Sequence, residues 1–192
     1  MIARLRGRLV ESGGYSLSEM IVVMAILGIV LAALVQLFVS ASHAQVDMNN
    51  RFQAQQNARL ALDGLRREIH CASGVTGTPT TSSITLTLGA YCPTNTTGAA
   101  ASVTWCTEDK TGTPGGTTVP YTLWRYSGTS CSGTGHQWAG NLTMGTVFAY
   151  SAPTTGNLGY VSVDLPVDLT PGDTMQRYEL KDSIVLRNTT RP

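Results

Sequence analysis

From Met20 to Val39 the chain reads MIVVMAILGIVLAALVQLFV, a run in which Gln36 is the single clearly polar side chain. About 20 such residues in a helix, at roughly 1.5 Å each, match a hydrocarbon core of about 30 Å. The segment is long enough to span a bilayer. A carboxylate, Glu19, stands at its edge. Charged groups in or beside hydrocarbon are costly, so an acidic residue at that depth points to a function and calls for a partner. Arg4, Arg6 and Arg8 precede the run and the next basic residue is Arg51, so the positive-inside bias puts the N-terminus in the cytoplasm and the body outside. The competing reading is a secretory signal peptide cut after Ala44, with Ser42 and Ala44 as the small residues. Such signals have apolar regions of about 7–15 residues, shorter than this run, and Glu19 would fall inside the hydrophobic segment.

Composition matters once this run is set aside. The chain carries 13 Lys and Arg against 12 Asp and Glu. Without Arg4, Arg6, Arg8 and Glu11, 10 basic residues face 11 acidic ones. A near-neutral body lacks the basic stripe that nucleic-acid binding uses, which disfavours that partner except as a local patch in a DNA-uptake role.

The residues around Gly14 carry a resemblance. Gly14, then Tyr15-Ser16-Leu17-Ser18-Glu19-Met20-Ile21-Val22-Val23, resembles the class III signal of type IV pilins and type II secretion pseudopilins. In that signal a short basic leader ends in glycine, an aromatic follows, and glutamate is the fifth mature residue. The resemblance covers residues 1 to 40. It implies cleavage after Gly14 by a prepilin peptidase, methylation of the new N-terminus at Tyr15, and a retained apolar helix. It also implies that Glu19 faces the α-amino group of a neighbouring subunit, as a register device for assembly. Tyr15 replaces the commoner Phe, and Ser18 stands where an aliphatic residue is usual. Major pilins usually carry proline where this chain has Gln36, and 61 residues follow the last cysteine. QNARLALDGLRREI resembles the outer helix of minor pilins and J-type pseudopilins. The implied partners are prepilin peptidase, major and minor pilin subunits, the inner-membrane assembly platform, and the membrane before assembly.

The helical pattern continues past the apolar run. Residues 42 to 70 lack proline, and Ala54, Ala58, Ala61, Leu62, Leu65 and Ile69 recur at spacings of three and four. Arg59, Asp63, Arg66 and Arg67 fall largely on the other side, with Asp63 and Arg67 four apart in the favourable order. The combined helix has some 55 residues and a length of about 80 Å; Gly64 is a position where it can bend. The division is leader 1–14, membrane and assembly half 15–41, amphipathic half 42–70, and extracytoplasmic head 71–192.

After Cys71 the pattern becomes one of strands. SSITLTLGAY, ASVTWC, YTLWRYSG, GYVSVDLPV and YELKDSIVLRN alternate β-branched or aromatic residues between turn clusters, and predict an antiparallel sheet. TGTPGG and SGTSCSGTG read as loops. The expected fold class is α+β, with one long helix laid on a β-sheet head. Cys71, Cys92, Cys106 and Cys131 all lie in the exported part. An even count there favours two disulfides, with three possible connectivities. The pairing Cys71–Cys92 with Cys106–Cys131 is preferred.

Chemistry is sparse in the rest of the chain. His43, His70 and His136 accompany no nucleophile or metalloprotease motif, so no enzyme is expected. No CxxC pair or cysteine–histidine cluster suits zinc, and no metal or cofactor is expected. Asp164, Asp168 and Asp173 in DLPVDLTPGD lack EF-hand spacing and read as an acidic turn. Asn95, Asn141 and Asn188 match the N-glycosylation pattern and read as chance occurrences.

The expected function is a structural minor subunit of a type IV pilus-like filament, at its tip or in its initiation. The expected location is a single-pass membrane protein that passes into a surface or periplasmic filament. Alternatives are a type II secretion pseudopilin, a tip adhesin contacting ligand through Trp105, Trp124 and Trp138, or an anchored domain with no assembly role. For the tryptophans, sheet core is the preferred reading.

Overall fold

A computed structural model describes residues 14–169 and 177–188. Most of the expected leader, with Arg4, Arg6 and Arg8, lies outside the described residues, as does Asp173. One helix, α1 (Leu17–Cys71), precedes eight strands: β1 (Ala72–Thr76), β2 (Ser83–Leu88), β3 (Ala101–Glu108), β4 (Tyr121–Ser127), β5 (Gly135–Leu142), β6 (Phe148–Ser151), β7 (Tyr160–Val167) and β8 (Tyr178–Val185). The chain divides into two units, Met1–Val46 and Asp47–Pro192.

In the first unit, every side chain from Tyr15 to Val46 is exposed. The segment is apolar all round, and none of the described residues covers it. By length and composition α1 can cross a membrane.

The second unit is α+β: the remainder of α1 lies on a curled antiparallel sheet. β1 to β5 form a meander in sequence order, each paired with the next. β7 pairs with β8 along its whole length, Tyr160 opposite Val185 and Val167 opposite Tyr178. Its other edge is shared, with β6 at its start and β5 at Leu142 opposite Val167.

The core lies between helix and sheet. Ala54, Ala58, Ala61, Leu62, Leu65 and Ile69, the predicted apolar face, are all buried there with Ile84, Leu86, Val103, Trp105, Leu123, Val161 and Val163. Alanine at three of these positions lets the helix approach the sheet closely, while the larger side chains come from the strands. Polar residues occupy the far face, where Thr85 and Thr104 share a hydroxyl bond of 3.0 Å.

The end of α1 is tied to the C-terminal strand. Asn188 Nδ2 donates to the carbonyls of His70 and Cys71 at 2.9 and 3.3 Å, satisfying acceptors that a helix end leaves open. Disulfides join Cys71 to Cys92 and Cys106 to Cys131. The first ties the helix end to the loop after β2; the second ties β3 to the loop between β4 and β5.

Two details differ from expectation. Asp63 pairs with Arg66, three residues on, at 3.3 Å rather than with Arg67, because Arg66 is drawn toward the sheet by Asp182 at 2.7 Å. Gly64 serves close packing. α1 runs through it, and the space where a Cβ would stand is taken by the indole of Trp138, 2.6 Å from that position. Trp138 reaches there through a bulge: Leu123 faces Ala139 and Trp124 faces Gln137, so Trp138 is the extra residue and turns onto the helix. Gly64→Ala should therefore overpack this contact and cost about 1–3 kcal/mol, read as a lower denaturation midpoint; an unchanged midpoint would show that Trp138 swings away freely.

Candidate functional site

The N-terminal signal has a defined local geometry. Ser16 precedes the first helical residue, and its carbonyl accepts from the amides of Glu19 and Met20 at 3.0 and 3.2 Å. Glu19 turns back so that its carboxylate accepts from the Ser16 amide at 3.0 Å. This is one half of a capping box, made by a glutamate three residues after the cap. The Ser16 and Ser18 hydroxyls lie 2.7 Å apart on the same turn. Tyr15, Ser18, Glu19, Val22 and Val23 line one shallow groove of about 340 Å³. Serine at position 18 thus puts a hydroxyl beside the carboxylate on an otherwise apolar face.

Gly14 and Tyr15 are exposed, and among the described residues no atom packs where a Gly14 side chain would stand. The bond between them is open to approach. Glu19 is likewise exposed, its carboxylate held among the described residues by its own helix end.

The head holds a second ionic arrangement that sequence reading missed. Glu68 sits on the helix face turned to the sheet and is 1% exposed. Trp105 Nε1 donates to its Oε2 at 2.7 Å, and Arg125 Nε donates to its Oε1 at 2.7 Å. A carboxylate that deep is tolerable only with such partners. A signal was present: Glu68 follows Ala61 by seven residues and Leu65 by three, which places an acid on the apolar stripe.

The three tryptophans do not form one surface. Trp105 is fully buried, and its ring lies 5.4 Å from that of Trp138, which is half-buried against Gly64. Trp124 is half-buried on the other face of the sheet, stacked with Tyr126 at 6.1 Å. The Tyr126 hydroxyl donates to the buried Glu108 carboxylate. Burial first, and that carboxylate second, push the Tyr126 hydroxyl up to about 12.

Asp109 organises the loop that follows β3. Its carboxylate accepts from the Thr111 amide and hydroxyl at 2.9 and 2.6 Å, and from the amides of Thr113 and Thr118 at 3.0 and 3.3 Å. Gly116 packs against this carboxylate so closely that a Cβ would collide with it. The Thr111 hydroxyl bond is the largest of the influences that lower the Asp109 carboxyl to about 2. A group whose folded value lies below its unfolded value of about 3.9 stabilises above the latter and stops doing so as pH falls through the former. Loop signals in an NMR titration should therefore hold at pH 4 and above and change only as pH approaches about 2. Asp109→Asn should disturb the same loop at neutral pH.

His43 and His136 are exposed, and His70 Nδ1 lies 3.0 Å from the Val185 carbonyl oxygen. Among the described residues no group of three or more His, Cys, Asp or Glu side chains gathers as metal ligands would.

In comparison with known families, residues 12–35 fit the prokaryotic N-terminal methylation motif. That is the processing signal of type IV pilins and pseudopilins, and it covers the Gly14–Tyr15 bond, Glu19 and most of the apolar run. The motif supports a type IV pilin-like or pseudopilin protein, processed by prepilin peptidase and assembled with other pilin subunits. The apolar helix is consistent with a membrane anchor in such a protein. No curated protein and no solved structure matches the chain.

Proposed function

We propose that the chain is a structural, low-abundance subunit of a type IV pilus-like filament, with a role in initiating the filament or forming its tip. The observation that carries this reading is the methylation motif at residues 12–35, with an accessible Gly14–Tyr15 bond and Glu19 one helical turn beyond it. Cleavage there removes the arginines of the leader and creates an α-ammonium at Tyr15. The apolar helix, exposed on every side in the single chain, then needs either lipid or the same segment of neighbouring subunits around it.

Gln36, in place of the proline usual in major pilins, favours a minor subunit, as does the outer helix sequence QNARLALDGLRREI. A type II secretion pseudopilin is the second reading, and it shares the same processing chemistry. In both, the role is assembly and display rather than catalysis. The tip-adhesin reading through the three tryptophans loses support, because Trp105 lies in the core and the other two are on opposite faces of the sheet.

Intact mass of the protein from its native membrane tests the proposal. The expected mass lacks residues 1 to 14 and carries one added methyl group, and four thiols become alkylatable only after reduction. A mass beginning at Met1, or after Ala44, would overturn it.

A further inference from the structure

The outer face of β6, β7 and β8, turned away from the helix, carries a groove of mixed polar and apolar lining that the filament reading does not use. It has a volume of about 540 Å³ and crosses all three strands. Its floor is low because small residues pair across it: Ala149 faces Ser162, and the Ser162 and Ser183 hydroxyls lie 3.0 Å apart. One end is closed by charges. Lys181 Nζ lies 3.3 Å from Asp164 Oδ2 and 2.9 Å from Glu179 Oε1, and Arg177 approaches Glu179 at 3.9 Å. Beyond the other end a second hollow of about 500 Å³ continues along the same strands, lined by Leu158, Tyr160 and Val185, all exposed.

We infer that this groove binds a neutral, hydroxyl-rich ligand of the oligosaccharide class. Three observations select that chemistry. Each carboxylate at the charged end already has a cationic partner, so the groove presents no net charge for an ionic ligand to neutralise. The Ser162 and Ser183 hydroxyls on the floor can both give and accept hydrogen bonds, as ligand hydroxyls require. Tyr160 adds an exposed aromatic face four residues from Asp164 on the same side of β7, where the C–H face of a sugar ring can rest. From Leu158 to Asp164 the strand rise gives about 20 Å, room for several rings. A pocket of this size with a few convergent polar groups is the usual form of a small-ligand site.

The inference is independent of filament assembly, and so is its test. The full mature chain would be held in lauryldimethylamine oxide micelles, which contain no sugar headgroup. Saturation-transfer NMR would be recorded with cellotetraose, chitotetraose and maltotetraose, and with a neutral extended hexapeptide. At least one tetrasaccharide should receive saturation. Ser183→Leu, which fills the floor, and Tyr160→Ala should each weaken it about tenfold or more, while Arg59→Ala on the exposed helix face should not. Transfer to none of the three sugars would overturn the inference. So would transfer to the peptide alone, or sugar binding that both groove variants leave unchanged.

Discussion

Replacing Glu68 by alanine should destabilise the head by about 3 kcal/mol or somewhat more, the range found when one partner of a buried ion pair is removed. The reason is what remains. Trp105 Nε1 and Arg125 Nε each lose an acceptor at 2.7 Å, and the indole, fully buried, has no water to turn to. Arg125 retains 18% side-chain exposure, which places the expected loss at the lower end of that range. Against a total domain stability of about 5–15 kcal/mol, the change is large. Urea denaturation followed by tryptophan fluorescence measures it. The double variant Glu68→Met with Arg125→Met should recover much of the loss, because a well-packed apolar pair of similar volume often equals a buried ion pair. A cost below about 1 kcal/mol for Glu68→Ala would mean that solvent reaches Arg125 well enough to make the pair a surface one.

The second large effect belongs to Glu19. Glu19→Ala should leave processing, membrane insertion and head folding intact, yet remove the protein from sheared filaments. Among the described residues this carboxylate makes one hydrogen bond, to the Ser16 amide at 3.0 Å, and losing a cap of that kind costs only about 1 kcal/mol. That is too little to unfold anything. In an apolar bundle, however, a new ammonium at Tyr15 without a counter-charge would cost several kcal/mol, so each subunit added out of register would be rejected. Immunoblots of sheared filament and membrane fractions, with intact mass of the membrane pool, separate the outcomes. Glu19→Ala at normal levels in filaments would refute pairing at this residue, and failure of leader cleavage would instead assign Glu19 to processing. Glu19→Asp should retain part of the incorporation, since the charge persists on a shorter reach.

Part of the head could be read without coordinates, and the parts that could not share a cause. β2, β3, β4, β7 and β8 alternate clearly enough to be predicted. β1, β5 and β6 were not, because ASGVT is short and weakly patterned, GHQWAGNL is rich in poor strand formers, and FAYS has four residues. β5 forms because β4 is beside it, and it keeps two irregularities of register even so. The preferred cysteine pairing matches the disulfides in the structure, yet spacing alone left three connectivities open.

By itself the sequence determined everything that depends on near neighbours along the chain. The apolar run, the glycine–aromatic–glutamate spacing and the period of the amphipathic helix all follow from residue types a few positions apart. Tertiary structure decided what depends on residues brought together from far apart. Glu68 meets Arg125 across 57 positions, Trp138 fills the space that Gly64 leaves, and Ser162, Ser183 and Ala149 become one groove floor. Periodicity reports which face a residue occupies, whereas pairing across strands is set by topology and by bulges that shift register. A buried charge can therefore be located on a helix from sequence, but its partner becomes known only once the sheet has folded against it.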